Sequence, residues 1–269
     1  MKEKIGFIGA GNMSSTIIRG FVKEFKGINN FIYVSNRRKE KAEKLSNETN
    51  INFCHSNAEI AKNCNLIFLG IKPYIYEKVL KEIAPYLKKE SLIISLAAGI
   101  NMREVEGYFQ HPSKVIRIMP NIPVTVGEGM IPLSTNDNIS IKEKDLVVRL
   151  LRSIGKVDEV EESMIDSATT ISGCSPAFIA MFVEALADGS VLSGMPRDKA
   201  YIYAAQTLIG TGKMLLENEI HPAELKDMVS SPKGVTIEGV RELEKGGFRN
   251  LLIETVKACE KRMKEINNE

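Results

Sequence analysis

The stretch Ile5-Gly6-Phe7-Ile8-Gly9-Ala10-Gly11-Asn12-Met13-Ser14 decides the fold of this 269-residue chain. An apolar run typical of a buried strand comes first, and a helical pattern follows it. Gly9 and Gly11 allow a tight turn and let the backbone approach a pyrophosphate, which a helix N-terminus attracts. Ser14 stands where the fingerprint usually has glycine or alanine, and it is small enough for close helix–strand packing. The stretch predicts a dinucleotide-binding βαβ unit; a plain glycine turn is the alternative.

The alternation of apolar runs and helical patterns continues to about residue 160. The runs are almost continuously apolar, as expected for parallel strands buried on both faces. We therefore predict an α/β, Rossmann-type doubly wound parallel sheet with helices on both faces. The predicted strands are 5–8, 31–34, 66–69, 92–96 and 115–119, and the predicted helices are 13–25, 39–46, 58–64, 75–87 and 102–109.

From about residue 163 the strand signals stop and the remaining pattern is entirely helical. Pro176, Pro196 and Pro222 each stand where a helix is predicted to begin, with Ser175 as the N-cap of the first of these helices. We predict two domains, residues 1–162 for nucleotide binding and residues 163–269 as an all-helical domain for dimerisation and substrate binding.

Composition narrows the function classes. Hydrophobic residues make up 43% and charged residues 26% of the chain, which is typical of a globular protein. The four cysteines form no CxxC pair and the three histidines share no metal-ligand spacing, so we expect no metal site. The apolar stretches and the N-terminus suggest neither a membrane span nor a signal peptide, and we expect a cytoplasmic protein.

Charge is distributed unevenly along the chain. Residues 1–159 hold 24 Lys and Arg against 17 Asp and Glu, whereas residues 160–269 hold 12 against 17. A basic first half suits an anionic ligand, and scattered solvated lysines are the alternative. Because no basic stripe is interleaved with aromatic residues, we expect no nucleic-acid partner.

The end of the second predicted strand indicates which cofactor binds. NAD-specific sites carry an acidic residue there, which bonds the ribose 2′-hydroxyl. This chain instead reads Ser35-Asn36-Arg37-Arg38-Lys39, whose side chains can donate hydrogen bonds to a 2′-phosphate. NADP(H) is predicted to be preferred, with NAD(H) possible; a basic start to the next helix is the alternative.

Two further loops follow later strands, Leu69-Gly70-Ile71-Lys72-Pro73 and Ser95-Leu96-Ala97-Ala98-Gly99. Ligands of such sheets bind beyond the carboxyl ends of the strands, so both loops should border the nicotinamide half of the cofactor. In the helical half, Ser230-Ser231-Pro232-Lys233-Gly234-Val235-Thr236 separates two helices. The new helix N-terminus could bind a small carboxylate, or the segment could be a helix connection with Ser/Thr capping.

Several longer motifs resemble those of the pyrroline-5-carboxylate reductase family. The resemblance covers nearly the whole chain, and its most specific part is the group of motifs from His221 to Arg249, which includes the Ser-Pro-x-Gly-x-Thr loop at residues 231–236. Lys233 stands where the family has glycine, and Cys174 where serine is commoner. The other matching stretches are Gly6-Phe7-Ile8-Gly9-Ala10-Gly11-Asn12-Met13, Arg117-Ile118-Met119-Pro120-Asn121-Ile122-Pro123, Gly127-Glu128-Gly129, Ser172-Gly173-Cys174-Ser175-Pro176-Ala177-Phe178, Gly194-Met195-Pro196-Arg197, His221-Pro222, Leu225-Lys226-Asp227 and Gly247-Phe248-Arg249.

The resemblance implies that NAD(P)H reduces the C=N bond of Δ1-pyrroline-5-carboxylate to L-proline. It places the substrate carboxylate on the N–H groups of Gly234, Val235 and Thr236, the Thr236 hydroxyl on the ring nitrogen as the catalytic contact, and Glu219 beside the substrate. It implies an interlocked dimer, or a ring of dimers, in which one subunit's loop completes its partner's site. The motifs and the resemblance together assign the cofactor to Ile8, Gly9, Ala10, Gly11, Asn12, Met13, Ser35, Asn36, Arg37, Asn57, Gly70, Ile71, Lys72, Pro73, Ala97, Ala98 and Gly99.

Two alternatives remain at this point. A β-hydroxyacid dehydrogenase shares the two-part plan but relies on a lysine in the helical half, and neither Lys213 nor Lys226 lies beside a matching glycine-rich motif. A non-catalytic nucleotide-binding relative would have no need of the loop at 231–236.

Overall fold

The computed structural model describes residues 3–268, with the side chains of residues 3–265. The chain divides into two compact units. The first, here the sheet unit, runs up to Gly173 and includes the chain from Glu260 onward; the second, the helical unit, is Cys174–Cys259. The domain boundary at 162/163 stays a prediction; it falls at a short 3-10 turn, Glu162–Met164, ahead of the point where the two compact units divide.

The sheet unit contains one eight-stranded sheet in the order β3-β2-β1-β4-β5-β6-β7-β8. The doubly wound arrangement is confirmed, because the chain moves outward from β1 in both directions. The prediction of a fully parallel sheet is wrong, since β6 and β7 pair antiparallel. The strands are β1 (Ile5–Ile8), β2 (Ile32–Ser35), β3 (Asn52–Phe53), β4 (Leu66–Leu69), β5 (Leu92–Ser95), β6 (Lys114–Ile118), β7 (Gly129–Thr135) and β8 (Gly155–Glu159).

The central strands form where the apolar runs predicted them. All four residues of β1 and of β4 are buried, as are those of β5, because helices cover both faces of the sheet. Phe7 and Phe68 stack at 4.6 Å between ring centroids on one face, where Phe21 packs edge-on against Phe68. Ile8, Ile67 and Leu69 pack on the other face.

Three strands were not predicted, for identifiable reasons. Strand β3 has only two residues and lies at one edge of the sheet. Strand β7 contains Pro132 and begins at Gly129, residue types that are depleted in strands. Strand β8 reads Gly-Lys-Val-Asp-Glu at the opposite edge, where one side is open to solvent and no apolar run is needed.

Five helices of the sheet unit lie close to the predicted ones, with ends displaced by a few residues, whereas the helix Ile141–Leu151 was not predicted. The predicted helix 75–87 is shorter than expected, because 3-10 turns flank its α-helical part. The helices are α1 (Asn12–Glu24), α2 (Lys39–Thr49), α3 (Asn57–Asn63), α4 (Tyr76–Ile83), α5 (Met102–Glu106), α6 (Ile141–Leu151) and α7 (Ile165–Thr169).

No strand occurs within Cys174–Cys259, as the sequence pattern predicted for that part of the chain. Gly194 has a φ of +95° and ends the first long helix, and a second begins just after Pro196. The helices are α8 (Ser175–Leu192), α9 (Arg197–Glu217), α10 (Pro222–Val229), α11 (Val235–Lys245) and α12 (Phe248–Asn268), whose last residues belong to the sheet unit.

The predicted N-cap at Ser175 is wrong, because Ser175 is already the first residue of α8 and the chain before it is helical too. A π-helical turn, Thr170–Cys174, joins α7 directly to α8. Pro176 has no N–H to donate to the Ser172 carbonyl four residues earlier, and a widened turn accommodates a proline inside a helix. The Asn121 amide nitrogen donates to that carbonyl at 2.9 Å instead.

Because α7 and α8 are continuous, the apolar helical stretch is longer than the sequence pattern predicted. The helical stretch 162–192 is 31 residues long and, by length and composition alone, is apolar enough to cross a membrane. A helix start at Pro176, as the sequence pattern predicts, would have left only shorter apolar stretches. Only 11% of the most apolar window is buried, so this stretch has an apolar surface that needs a partner.

Candidate cofactor and substrate sites

The structure brings the predicted cofactor residues together at the carboxyl ends of the central strands. Strands β1, β2, β4 and β5 are neighbours and parallel, so their carboxyl ends lie side by side. Each group of predicted residues belongs to a strand end or to the segment that follows it, and Asn57 begins the helix after β3. Dinucleotides bind at the carboxyl ends of the strands in doubly wound sheets.

Close backbone contacts hold the glycine-rich turn in place. The Gly9 N–H donates to the Ser35 carbonyl at 2.8 Å, and the Gly70 N–H donates to the Ile8 carbonyl at 3.0 Å. Gly9 has a φ of +105°, and a Cβ there would lie 2.5 Å from the Gly70 oxygen. Any other residue at position 9 would therefore be both strained and obstructed.

The N-terminus of α1 is free to receive an anion. Gly11 is its N-cap and makes no side-chain capping bond, and no acidic residue occurs in the first turn. A Cβ on Gly11 would have only the Gly70 oxygen within 4 Å, at 3.9 Å, so the space beside this backbone is open. Exposed N–H groups at the positive end of a helix dipole fit a pyrophosphate.

Ser14 packs as its size predicted. It is 1% exposed, and a Cβ on Gly70 would collide with its hydroxyl. Its hydroxyl has no hydrogen-bond partner among the described atoms. Ser14 and Gly70 thus allow the helix and the β4 loop to approach closely.

Of the three residues predicted to meet a 2′-phosphate, one has its hydroxyl committed elsewhere in the structure. Ser35 is 1% exposed, and its hydroxyl donates to the Asn57 amide oxygen at 2.8 Å. Asn36 accepts from the Ala10 N–H at 3.1 Å and donates to the Arg38 carbonyl at 2.8 Å. The predicted donors that remain are the exposed Arg37 and the second amide N–H of Asn36.

Glu82 is a residue near this site that the sequence analysis did not single out. It lies on α4, and its carboxylate accepts from the Asn57 amide nitrogen at 3.0 Å. Asn57 is thus held between Ser35 and Glu82, so both ends of its side-chain amide are fixed. The two residues are 25 positions apart in sequence, and no local pattern could have indicated the contact.

Tyr76, the first residue of α4, is a second unpredicted residue. It is 2% exposed, and its hydroxyl lies between the two loops expected to border the nicotinamide. Burial raises the pKa of Tyr76 to about 12, so the phenol stays protonated at neutral pH. From the sequence pattern, Tyr76 was predicted only to be part of a helix.

The loop between α10 and α11 has a backbone conformation that suits glycine at two positions, Lys233 and Gly234. A Cβ on Gly234 would collide with the side chain of Ser231, whose carbonyl accepts from the Gly234 N–H at 2.9 Å. Lys233 has a φ of +59°, in the left-handed region that favours glycine. This explains in physical terms why glycine suits that position better than lysine.

The capping alternative for Thr236 is wrong. Gly234 is the N-cap of α11 and makes no side-chain capping bond. Thr236 is exposed, and its hydroxyl makes no hydrogen bond to any residue that the structure describes. Val235 is 92% exposed, so the first turn of α11 is open. The hydroxyl and the N–H groups of this turn are available to a ligand.

Glu219 lies between α9 and α10 and is exposed. Its φ of +52° is unusual for a residue with a side chain, and such strain is commoner at functional sites than elsewhere. The next helix begins at Pro222, with the His221 ring nitrogen accepting from the Ala223 N–H at 3.2 Å.

Two family models match the chain. Residues 162–266 match the model described as pyrroline-5-carboxylate reductase dimerisation. Residues 4–99 match the model described as NADP oxidoreductase coenzyme F420-dependent. The second match covers β1 to β5, the strands that contribute the predicted cofactor residues.

Full-length relatives give the same assignment. The chain is 40% identical over 267 residues to pyrroline-5-carboxylate reductase of Escherichia coli (strain K12), covering 99% of each, and 41% identical over 265 residues to pyrroline-5-carboxylate reductase 3 of Danio rerio, covering 98% of this chain and 92% of that protein.

Solved structures of such reductases superpose closely. The one from Coxiella burnetii has a TM-score of 0.91 at 31% identity, covering 98% of both chains. The one from Plasmodium falciparum, with NADP bound, has a TM-score of 0.87 at 32% identity, covering 99% of this chain and 98% of that one. With its glycine-rich turn, its exposed loop before α11 and its full-length similarity, the chain belongs to the pyrroline-5-carboxylate reductase family.

Proposed function

We propose that the chain performs the reaction of its family on the residues assigned above. It is an oxidoreductase that reduces the C=N bond of Δ1-pyrroline-5-carboxylate to L-proline with NAD(P)H, the last step of proline biosynthesis. The observation that supports the assignment most directly is the α11 N-terminus, where free N–H groups and the unbonded Thr236 hydroxyl face solvent together.

The substrate carries its carboxylate on the ring carbon that is bonded to the ring nitrogen. The N–H groups of Gly234, Val235 and Thr236 hold the carboxylate, because unpaired helix N-terminal donors and the helix dipole favour an anion. The Thr236 hydroxyl then contacts the ring nitrogen, accepting the N–H of the protonated imine. The Glu219 carboxylate stabilises the positive charge of that nitrogen.

The cofactor residues act mainly by positioning. The first turn of α1 holds the pyrophosphate, and the loops Gly70–Pro73 and Ala97–Gly99 border the ring that supplies the hydride when the cofactor is bound. A protonated imine is already a good hydride acceptor, so orientation provides most of the catalysis. This accounts for a site built without a catalytic histidine or cysteine.

NADPH is the preferred cofactor in this proposal, with NADH accepted less well. Arg37 is exposed at the end of β2, where no carboxylate of that loop would repel a 2′-phosphate. Arg37→Ala should raise the KM for NADPH about tenfold while leaving the KM for NADH within about twofold. Equal changes in both constants, measured at saturating imine, would remove Arg37 from the 2′-phosphate site.

The helical unit supports self-association, as its family match indicates. We propose a dimer, or a ring of dimers, in which the apolar surfaces of α8 and α9 are covered by a second copy of the chain. We also place the protein in the cytoplasm, where its cysteines, two of them buried at Cys54 and Cys64, stay reduced.

The experiment follows NADPH oxidation with Δ1-pyrroline-5-carboxylate and identifies proline as the product. Thr236→Ala should lower kcat/KM for the imine about 5- to 150-fold and leave NADPH affinity unchanged, because one hydrogen bond worth roughly 1–3 kcal/mol is lost. Thr236→Ser keeps the hydroxyl and should stay close to wild type. An unchanged kcat/KM with a lowered melting temperature would assign Thr236 to structure alone.

A further inference from the structure

The Tyr76 hydroxyl joins two strands at the point where their pairing ends. Strands β4 and β5 pair in parallel up to Leu69 and Ser95. The Tyr76 hydroxyl donates to the Leu69 carbonyl at 2.8 Å, and the Leu96 N–H donates to the Tyr76 oxygen at 3.2 Å. The phenol therefore connects the two strands immediately beyond their last paired residues.

The bonding capacity of this hydroxyl is fully used. Its single proton goes to Leu69, so the Ser95 hydroxyl at 3.2 Å must donate to it rather than accept from it. The Ser95 oxygen in turn accepts from the Ala97 N–H at 3.5 Å. Both N–H groups that open the β5 loop are thus bonded within one buried cluster, and the cost of leaving any of them unpaired is high.

The same hydroxyl also closes the β4 loop. The chain leaves β4 at Leu69, passes through Gly70–Pro73 and returns at Tyr76 to bond the carbonyl of the residue that it left. Tyr76 is held rigidly, since it is 2% exposed and packs in the core on one face of the sheet. One side chain therefore determines the shape of both loops.

We infer that Tyr76 is a positioning residue for the nicotinamide half of the cofactor, acting through the backbone of the Gly70–Pro73 and Leu96–Gly99 loops. The inference rests on the proposed function, because it takes these loops to border that ring. The adenosine half lies beside β2 and α3, at residues that Tyr76 does not contact through hydrogen bonds. Loss of the hydroxyl should therefore affect one half of the cofactor and not the other.

The test compares Tyr76→Phe with wild type in binding two ligands, NADPH and 2′,5′-ADP, which carries the 2′-phosphate but no nicotinamide. The Kd for NADPH should rise about tenfold while the Kd for 2′,5′-ADP stays within about twofold. With the imine substrate, kcat should fall about 10- to 100-fold, and the primary isotope effect with 4-deuterated NADPH should increase because hydride transfer is slowed. Tyr86→Phe, at an exposed position, is the matched control and should change neither the ratio of the two Kd values nor the isotope effect.

A purely structural role would give a different result. It would lower the melting temperature and weaken the binding of both ligands equally, or it would leave both Kd values and the isotope effect unchanged below that temperature. Either outcome would overturn the inference. If Tyr76→Phe does not fold, Ser95→Ala removes one bond of the same cluster and should shift the Kd ratio in the same direction by about threefold. The binding ratio needs no turnover, so absence of imine reduction by wild type would refute the proposed function separately.

Discussion

The sheet unit and the helical unit solve the burial of apolar side chains in opposite ways. Nearly all of the buried hydrophobic residues lie in the sheet unit; within Cys174–Cys259 the buried ones are Ala187, Ala200 and Leu225. Conversely, eighteen of the twenty-five exposed large hydrophobic side chains of the described chain belong to Cys174–Cys259. The sheet unit thus has a core of its own, whereas the helical unit has an apolar surface in place of one.

The difference indicates where each unit obtains its stability. A folded unit of this size usually buries large aliphatic side chains at about 1.5–3 kcal/mol each. The helical unit buries one leucine in this way within a single chain, so its stability must come from surface covered in the assembly. Its match to a dimerisation family supplies the partner, a second copy of the chain.

The largest expected effect comes from charging the apolar surface of the helical unit. Ile202, on α9, is 66% exposed in the single chain. Ile202→Arg should weaken self-association more than about 100-fold, because a symmetric interface loses the apolar contact twice and buries two unpaired charges. Sedimentation velocity at micromolar concentration should then show a 30 kDa species, and activity should fall with it.

The matched control is Ile141→Arg in the sheet unit. Ile141 is 75% exposed at the start of α6, so the same substitution there should leave both the sedimentation coefficient and activity unchanged. A dimer that persists in the Ile202 variant would show that this part of α9 lies outside the interface.

A smaller effect should follow from relieving backbone strain in the loop between α10 and α11. Lys233 has a φ of +59°, where a residue with a side chain is strained by about 1–2 kcal/mol. Glycine removes this strain, but it also makes the unfolded chain more flexible, which offsets part of the gain in stability. Lys233→Gly should raise the free energy of unfolding by about 0.5–1 kcal/mol in urea denaturation. Asn50→Gly, at a φ of +55° in the sheet unit, should gain less, because asparagine tolerates this region. Equal gains at both positions would contradict the strain argument.

The smallest expected effect is electrostatic and depends on pH. Burial opposes ionisation of Glu143, but hydrogen bonds from Lys114 at 2.6 Å and from Ser140 outweigh it and leave the pKa of Glu143 below its ordinary value. A lowered pKa stabilises the fold above the unfolded value of about 4.3, and this stabilisation is lost as pH falls through the folded value. Glu143→Gln should therefore cost up to about 1 kcal/mol at pH 7 and nothing near pH 3.

Glu238→Gln in the helical unit serves as the comparison. Glu238 pairs with Arg241 at 3.0 Å, but both side chains are more than two-thirds exposed. Solvent screens such a pair, so this variant should unfold like wild type at either pH. A pH-independent cost of Glu143→Gln would show that the ion pair with Lys114 contributes nothing.

Sequence patterns predicted the interior of the sheet well and its edges poorly. Strands β1 and β4 begin and end where predicted, because strands buried on both faces require unbroken apolar runs. Strands β3, β7 and β8 were not predicted, since short or solvent-facing strands need no such run. The antiparallel pairing of β6 and β7 was likewise beyond the sequence, because pairing direction depends on where a distant segment packs.

For the candidate sites, the glycine-rich turn and the loop before α11 were identifiable because their conformations demand particular residues. Gly9, at a φ of +105°, and Gly234, whose Cβ position is occupied by Ser231, leave few alternatives. Tyr76 and Glu82 were not identifiable, because a buried hydroxyl or a paired carboxylate has no local sequence signature.

The sequence by itself determined the two-part plan, the glycine-rich cofactor turn and the family, since these depend on local backbone requirements and on which segments are apolar. Only the tertiary structure decided which polar groups are free. It committed the Ser35 hydroxyl to Asn57, left the Thr236 hydroxyl without a partner among the described residues and placed the Tyr76 hydroxyl between two loops. The physical reason is that hydrogen bonds between distant residues form only once folding has buried them together, and sequence distance carries no information about that proximity.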